Sequence, residues 1–250
     1  MGEIRVGTSG WAYASWRGDF YPTGLPQRAQ LSYLAERMSA VEVNASFYRL
    51  QRPESYRRWR DAVRDDFVFA VKGGRFITHL KRLRDVEEPL ARFFGSGVLE
   101  LGAKLGPVLW QLPASLPFDP ALMGDFYTLL PRAHDGLEIR HVLEFRHPSF
   151  CSDAAFAQMR EHDIGCVVSD SPRRWPMAEV VTSDVVYVRL HGHTELYASG
   201  YAPASLDRWA EKCRRWSERA DVHVYFDNDA RGRAPYDAMG LRRRLDPLAA

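Results

Sequence analysis

Short β-branched runs bounded by turn residues recur along the chain. They lie at Ile4–Gly7, Ala40–Asn44, Phe67–Lys72, Val108–Leu112, His141–Arg146, Gly165–Ser169, Val185–Leu190 and Val222–Phe226. Between them apolar residues repeat at helical spacing: Gln27–Met38, Pro53–Val63, Glu87–Leu105, Asp119–Pro131, Ser152–His162, Ser205–Arg219 and Pro235–Leu245. Pro53 suits a first helical turn. Asp119, Ser152 and Ser205 read as N-caps. The long Glu87–Leu105 segment is expected to break near Gly95. Ser171–Ser183, with Pro172 and Pro176, lacks a clear helix. Strand–helix alternation implies a parallel sheet. Eight repeats within 250 residues predict an α/β fold, a (β/α)8 barrel of TIM type, with a missing or irregular helix between strands six and seven. No linker, low-complexity tract or internal repeat divides the chain, so residues 1–250 read as one domain.

Alternate side chains of a barrel strand face the interior and the helices, and both sets are apolar along most of a covered strand. Here one parity turns polar at the carboxyl ends. Glu42 and Asn44 alternate with Val41 and Val43; Lys72 follows Val68 and Ala70; Gln111 follows Leu109; Glu144 and Arg146 follow Val142. Asp170 follows Cys166 and Val168; Arg189 and His191 follow Val185 and Tyr187; Asp227 follows His223 and Tyr225. The other parity carries the side chains that helices would cover. Glu42, Lys72, Gln111, Glu144, Arg146, Asp170, Arg189, His191 and Asp227 are therefore expected to converge at the carboxyl-terminal mouth, where barrel enzymes hold their active sites. The same charges could form a buried ion-pair network closing the barrel end. Such networks are often neutral or costly compared with apolar packing, which favours a ligand site.

The loop after strand one, GTSGWAYASWRGDFYP, brings Ser9 and Trp11 near the strand end. Trp16, Phe20 and Tyr21 would wall the mouth or, for Trp16 and Phe20 above all, pack inside the loop. Tyr48 and Arg49 are candidate lid contacts, and His79 a candidate site group. Gly73-Gly74 is a weak candidate for an anion cradle. His147 is read as shaping the turn at Pro148, and Trp175, His134 and His162 as structural or surface residues. The Arg242–Arg244 run is read as a solvated helix face.

A formal net charge of +2 is too small to make nucleic acid the default partner. Cys151, Cys166 and Cys213 form no CxxC pair, which speaks against a zinc knuckle or redox dithiol and fits a reducing cytoplasm. The amino terminus lacks a signal-peptide pattern, and Val6 breaks a myristoylation motif. No apolar run approaches the ~20 residues of a membrane span. A cytoplasmic protein without membrane contact is expected; its oligomeric state is left open.

The motifs GTSGW, WRGDFYP, VEVNASFYRL, FAVKGGRFITH, WQLP, LEFRHPSF, VRLHG and YFDND…AP resemble those of the YecE-like barrel family, domain-of-unknown-function family 72. The resemblance runs from Gly7 to about Pro235 and implies an α/β barrel without an established activity. One position departs. The family pattern reads Asn-Asn at the end of the last strand, where this chain has Asp227 before Asn228, adding a negative charge.

The cluster fits an enzyme of hydrolase or lyase type acting on a small anionic or polyhydroxyl substrate, with no cofactor and no obligatory metal. Arg146 and Arg189 would clamp a carboxylate or phosphate through their planar forks. Glu42 and Glu144 would serve as general acid or base, because crowded carboxylates push one pKa upward, and Asp170 joins that catalytic set. Lys72 would stabilise developing negative charge or, less readily, form a Schiff base. His191 would shuttle a proton. Ser9, Trp11, Asn44, Tyr48, His79, Gln111, Asp227 and Asn228 complete the expected substrate-binding set. A divalent metal on Glu42, Glu144, Asp170, Asp227, His191 and His79 is the alternative, opposed by three neutralising cations and the absence of an HExxH spacing. A glycosidase would need two carboxyls about 5–9.5 Å apart, for which Glu42 and Glu144 are candidates. A non-catalytic barrel is the remaining alternative. It would bind a ligand in the same pocket, or nucleic acid on the Arg57, Arg58, Arg60 and Arg64 surface.

Overall fold

The computed structural model describes residues 1–246. Eight parallel strands close on themselves in chain order: β1 (Ile4–Ser9), β2 (Ala40–Val43), β3 (Val68–Lys72), β4 (Leu105–Gln111), β5 (His141–Glu144), β6 (Ile164–Asp170), β7 (Val185–Leu190) and β8 (Asp221–Phe226). This is the predicted (β/α)8 barrel. Strand edges move by three residues at most, as where β4 begins at Leu105 rather than Val108.

The helices are α1 (Gln27–Ala35), a one-turn α2 (Ala45–Tyr48), α3 (Pro53–Asp61), α4 (Glu87–Gly95), α5 (Pro120–Leu129), α6 (Asp153–Glu161), α7 (Pro203–Ser217) and α8 (Ala234–Leu245). Asp119 and Ser152 cap α5 and α6 by accepting backbone N–H bonds, as expected. Ser205 is not a cap. Pro203 starts α7, its fixed φ being already helical, and Ser205 is buried in the first turn. The Glu87–Leu105 segment does break. Gly97 takes φ +111°, where a Cβ would meet Pro53 Cα at 2.5 Å, and a 3-10 stretch over Val98–Lys104 follows.

Residues 171–184 form no helix, as the prolines predict. β6 pairs with β7 only from Val167 onward. Before that, the Thr182 hydroxyl accepts from the Cys166 N–H at 2.7 Å and donates to the Ile164 carbonyl at 2.6 Å. A loop side chain thus satisfies backbone groups that a paired strand would otherwise take.

Two apolar layers result. Val41, Phe69, Trp110, Leu143, Val168, Val188 and Val224 face the helices. Ala40, Ala70, Leu109, Val142, Val167, Val185, Tyr187 and Tyr225 fill the barrel. Small residues on β2 and β3 leave room for the two tyrosine rings of β7 and β8, whose centroids lie 5.0 Å apart. The expected parity holds on every strand for which it was read except β6. There Ser169, level with Arg189, faces the interior, and Asp170 faces the helices. The run Cys166–Val168 is apolar on both parities, so its sequence does not reveal which side faces in.

The β1 loop is a packed core of its own. Trp16 and Tyr21 are fully buried and Phe20 lies edge-on to Tyr33, so none of them walls the mouth. The surface arginines considered for nucleic acid are largely engaged: Arg57 pairs with Glu54 and Glu100, Arg60 with Asp61, and Arg64 with Asp66. Among the described residues no helix is long and apolar enough to cross a membrane.

Gly73 ends β3 against the indole of Trp110, 2.3 Å from where a Cβ would sit. Its role is close packing, not an anion cradle. Gly73→Ala should therefore destabilise the fold by about 1–3 kcal/mol in urea titrations. A change within about 0.5 kcal/mol would show that Trp110 moves freely.

Candidate active site

Arg189, near the end of β7, is 1% exposed and spends its donors on the protein. Nε and Nη2 grip the two oxygens of Glu42 at 3.0 and 2.8 Å. Nη1 reaches Glu144 at 2.7 Å, and Nη2 also reaches Asp227 at 2.8 Å and Ser9 Oγ at 3.1 Å. Tyr187, from the barrel plug, donates its hydroxyl to Glu42 at 2.6 Å, and Ser9 donates to the other Glu42 oxygen. Burial opposes the charge on Arg189, but Glu42, Glu144 and Asp227 hold it well above its ordinary pKa. Arg189 is therefore no ligand clamp. Glu42 has both oxygens bound and is fully buried, which removes it as a general base. For Glu144, burial is outweighed by Arg146 and Arg189, and its carboxyl stays well below the usual range. The acid–base pair expected of Glu42 and Glu144 is instead a locked ion-pair network, and a glycosidase loses its two free carboxyls.

Above this tier opens a cavity of about 530 Å³. Lys72 sits in its wall, 8% exposed, with its ammonium 4.3 Å from the centroid of the Phe47 ring. Among the described residues it has neither a hydrogen-bond acceptor nor a carboxylate within 4.0 Å. Burial, then the charge of Arg189, lowers its pKa to about 8. Arg146 gives Nε to Glu144 at 3.0 Å and lays its guanidinium plane 3.5 Å from the Trp175 ring centroid. Its two terminal nitrogens find no protein acceptor among the described residues. His79 is pushed down to about 4 by burial and by Lys72 and Arg146, so its imidazole is neutral. Gln111 and Asn44 line the same space, and Tyr48, 71% exposed, stands at the rim.

His191 is fully buried between the edges of Trp175 and Tyr197, with Nδ1 3.0 Å from Asp227 but off the line of a hydrogen bond. The Asp227 carboxylate thus bonds Arg189 and lies beside His191. Burial opposes it, but Arg189 and His191 bring it to about 2. The upward shift expected from crowding falls instead on Asp229, raised by burial and then by Asp227, and facing Tyr13.

Several expected site residues lie elsewhere. Asp170 accepts from the Tyr201 hydroxyl at 2.9 Å on the helix side. Trp11 packs edge-on to Trp59 at 5.3 Å, because the β1 loop turns outward after Gly10. Asn228 is buried and donates to Ser199 and Asp237. Ser9 lies beneath the cavity as a spacer between Glu42, Arg189 and Asn44. Of the metal donors considered, Glu42, Glu144, Asp227 and His191 gather around Arg189 while Asp170 lies on the helix side, and among the described residues no three His, Cys, Asp or Glu side chains form a metal-sized group. His191 and His193 make an HxH pair in sequence, but His193 turns to Tyr201. Sequence reasoning missed Tyr13, Phe47, Arg75, Trp175, Tyr197 and Asp229. Of these, Phe47 was visible beside Tyr48, and Trp175 stood in the helix-less connection on the mouth side.

A family model described as "Protein of unknown function DUF72" matches residues 5–249. The YecE protein of Escherichia coli K12 is 29% identical over 174 residues, covering 67% of this chain and 59% of that protein. The chain thus spans about three fifths of the E. coli relative's length. The YunF protein of Bacillus subtilis is 22% identical, over 97% of this chain and 95% of its own. A DUF72 family protein from Thermotoga maritima has a similar solved structure: TM-score 0.86, 26% identity, 98% of this chain and 99% of that one.

Two measurements test this electrostatic arrangement. Arg189→Met leaves Glu42 and Asp227 without their guanidinium and Glu144 with Arg146 alone, and should cost about 3–5 kcal/mol or abolish folding; a loss below about 1 kcal/mol would refute the shared-guanidinium network. Lys72 keeps its proton to about 8 when folded but to 10.5 when unfolded. The unfolded state thus binds more protons across that window, and stability rises with pH there. Relative to Lys72→Met, the wild type should gain up to about 3 kcal/mol from pH 8 to 10.5. A pH-independent difference would mean that Lys72 titrates normally.

Proposed function

The chain belongs to the DUF72 family, and we propose that its barrel mouth is the active site of an enzyme of hydrolase or lyase type acting on a small anionic substrate. One observation carries this reading: the mouth carboxylates Glu42, Glu144 and Asp227 each bond Arg189 from below, while Lys72 and the outer edge of Arg146 face the cavity with no hydrogen-bond acceptor among the described residues.

Arg146 is built as an anchor. Its stack on Trp175 and its bond to Glu144 fix the plane, so two parallel N–H groups present themselves to a carboxylate or phosphate with little ordering cost. Arg75 adds charge at the rim. Gln111 and Asn44 supply donors and acceptors for hydroxyl groups, which accommodates a polyhydroxyl chain. Lys72 is the group suited to proton transfer, because its pKa of about 8 lies near working pH while Glu144 and Asp227 are held ionised. No residue of this arrangement requires a metal.

Thermal-shift measurements with inorganic phosphate, phosphorylated sugars and dicarboxylates, each with and without chelator, test the reading. A ligand at 100 times its Kd should add about 2.7 kcal/mol. The shift should vanish in Arg146→Ala and persist with chelator. Stabilisation that survives Arg146→Ala and Lys72→Met alike would place binding elsewhere, and stabilisation only with divalent metal would reverse the metal-free assignment.

A further inference from the structure

Resting on that reading, we propose that Lys72 is a covalent nucleophile that forms a Schiff base with an anionic carbonyl compound, a short aldehyde or ketone bearing a carboxylate or phosphate.

The first observation is the use of lysine itself. Only Lys72, Lys81, Lys104 and Lys212 occur among 34 basic residues; the chain otherwise supplies positive charge with arginine. Three of the four are ion-paired: Lys81 with Asp85 at 4.0 Å, Lys104 with Asp65 at 3.3 Å, and Lys212 with Glu179. Lys104 also donates to the Arg60 and Val63 carbonyls. Among the described residues Lys72 has no such partner; it lies against the Phe47 face in a cavity wall. A mouth that needed only a fixed cation would be served by arginine, which cannot lose its proton in a protein. The distinctive capacity of lysine at this position is a free amine.

The surroundings favour that form. Burial and then Arg189 disfavour the ammonium; Glu42, Glu144 and Asp227 favour it, but all three bond Arg189 and their pull is outweighed. His79, which also faces it, is neutral. The lowered Lys72 pKa agrees with the geometry. Arg146 would hold the anionic group while the carbonyl carbon meets Nζ.

The step balances without a further reagent. The Nζ lone pair attacks the carbonyl carbon, and the C=O π pair passes to oxygen. Oxygen collects the two amine protons and leaves as water, giving C=N. One proton from solvent then makes the iminium, which can draw electrons from a bond to the neighbouring carbon. This is the chemistry of a lyase.

The whole chain is incubated with pyruvate, glyoxylate or dihydroxyacetone phosphate, reduced with borohydride, and examined by intact mass and peptide mapping. At least one compound should leave an adduct equal to its own mass less one oxygen, on Lys72 and at least tenfold in excess over Lys81 and Lys212. Lys72→Arg should abolish it. Arg146→Ala should reduce labelling by these anions but not by acetaldehyde. No adduct, or equal labelling of exposed lysines, overturns the proposal. If phosphate still stabilises the wild type but not Arg146→Ala in that case, the anion site stands without the covalent step. If neither is seen, both readings fall.

Discussion

The guanidinium of Arg189 holds the carboxyl-terminal end of the barrel together. Ser9 from β1, Glu42 from β2, Glu144 from β5 and Asp227 beyond β8 all converge on this one group of β7. In a low-dielectric interior those carboxylates would each be costly alone, and the cation would be as costly without them. Their mutual satisfaction sets a polar lid on the apolar plug. Tyr187, apolar in its ring and bonded to Glu42 through its hydroxyl, marks the boundary. The ion-pair network open to the sequence is a closed tier around Arg189, and above it lies an accessible tier lined by Lys72 and Arg146, where the proposed ligand would sit.

The barrel was legible because its information is periodic. Eight apolar runs with polar ends on one parity define both the strands and the face that looks inward. Strand β6 was misread for a specific reason: Cys166, Val167 and Val168 leave both faces apolar, and only the register Ser169–Arg189 decides between them. The site was legible as a list of side chains but not as a set of partnerships. Arg189 and Arg146 look alike in sequence, yet one is saturated by three carboxylates and the other keeps a free edge. Trp175 and Phe47 were missed because an aromatic in a loop or a single helical turn carries no period, and their surroundings depend on the cation each one faces.

The charge introduced by Asp227 fits the same scheme. It completes the cation's shell and sits beside His191, so an extra anion costs little there. The neighbouring acid Asp229 makes no bond to that cation, and burial and the charge of Asp227 push its pKa upward. Two acids two residues apart are therefore shifted in opposite directions, because only one of them bonds the guanidinium.

The connection between β6 and β7 has a consequence beyond its missing helix. Freed from spanning the barrel flank as a rod, residues 171–184 can bring Trp175 over the mouth, with its backbone N–H tied to Ser171 Oγ at 3.1 Å, and set it beneath Arg146. The orientation of the anchor is thereby delegated to an irregular segment, while the strands remain bound to the Arg189 network. The same segment also holds the backbone of β6 through Thr182, so one irregular stretch of chain ties the cation above the mouth to the wall of the barrel.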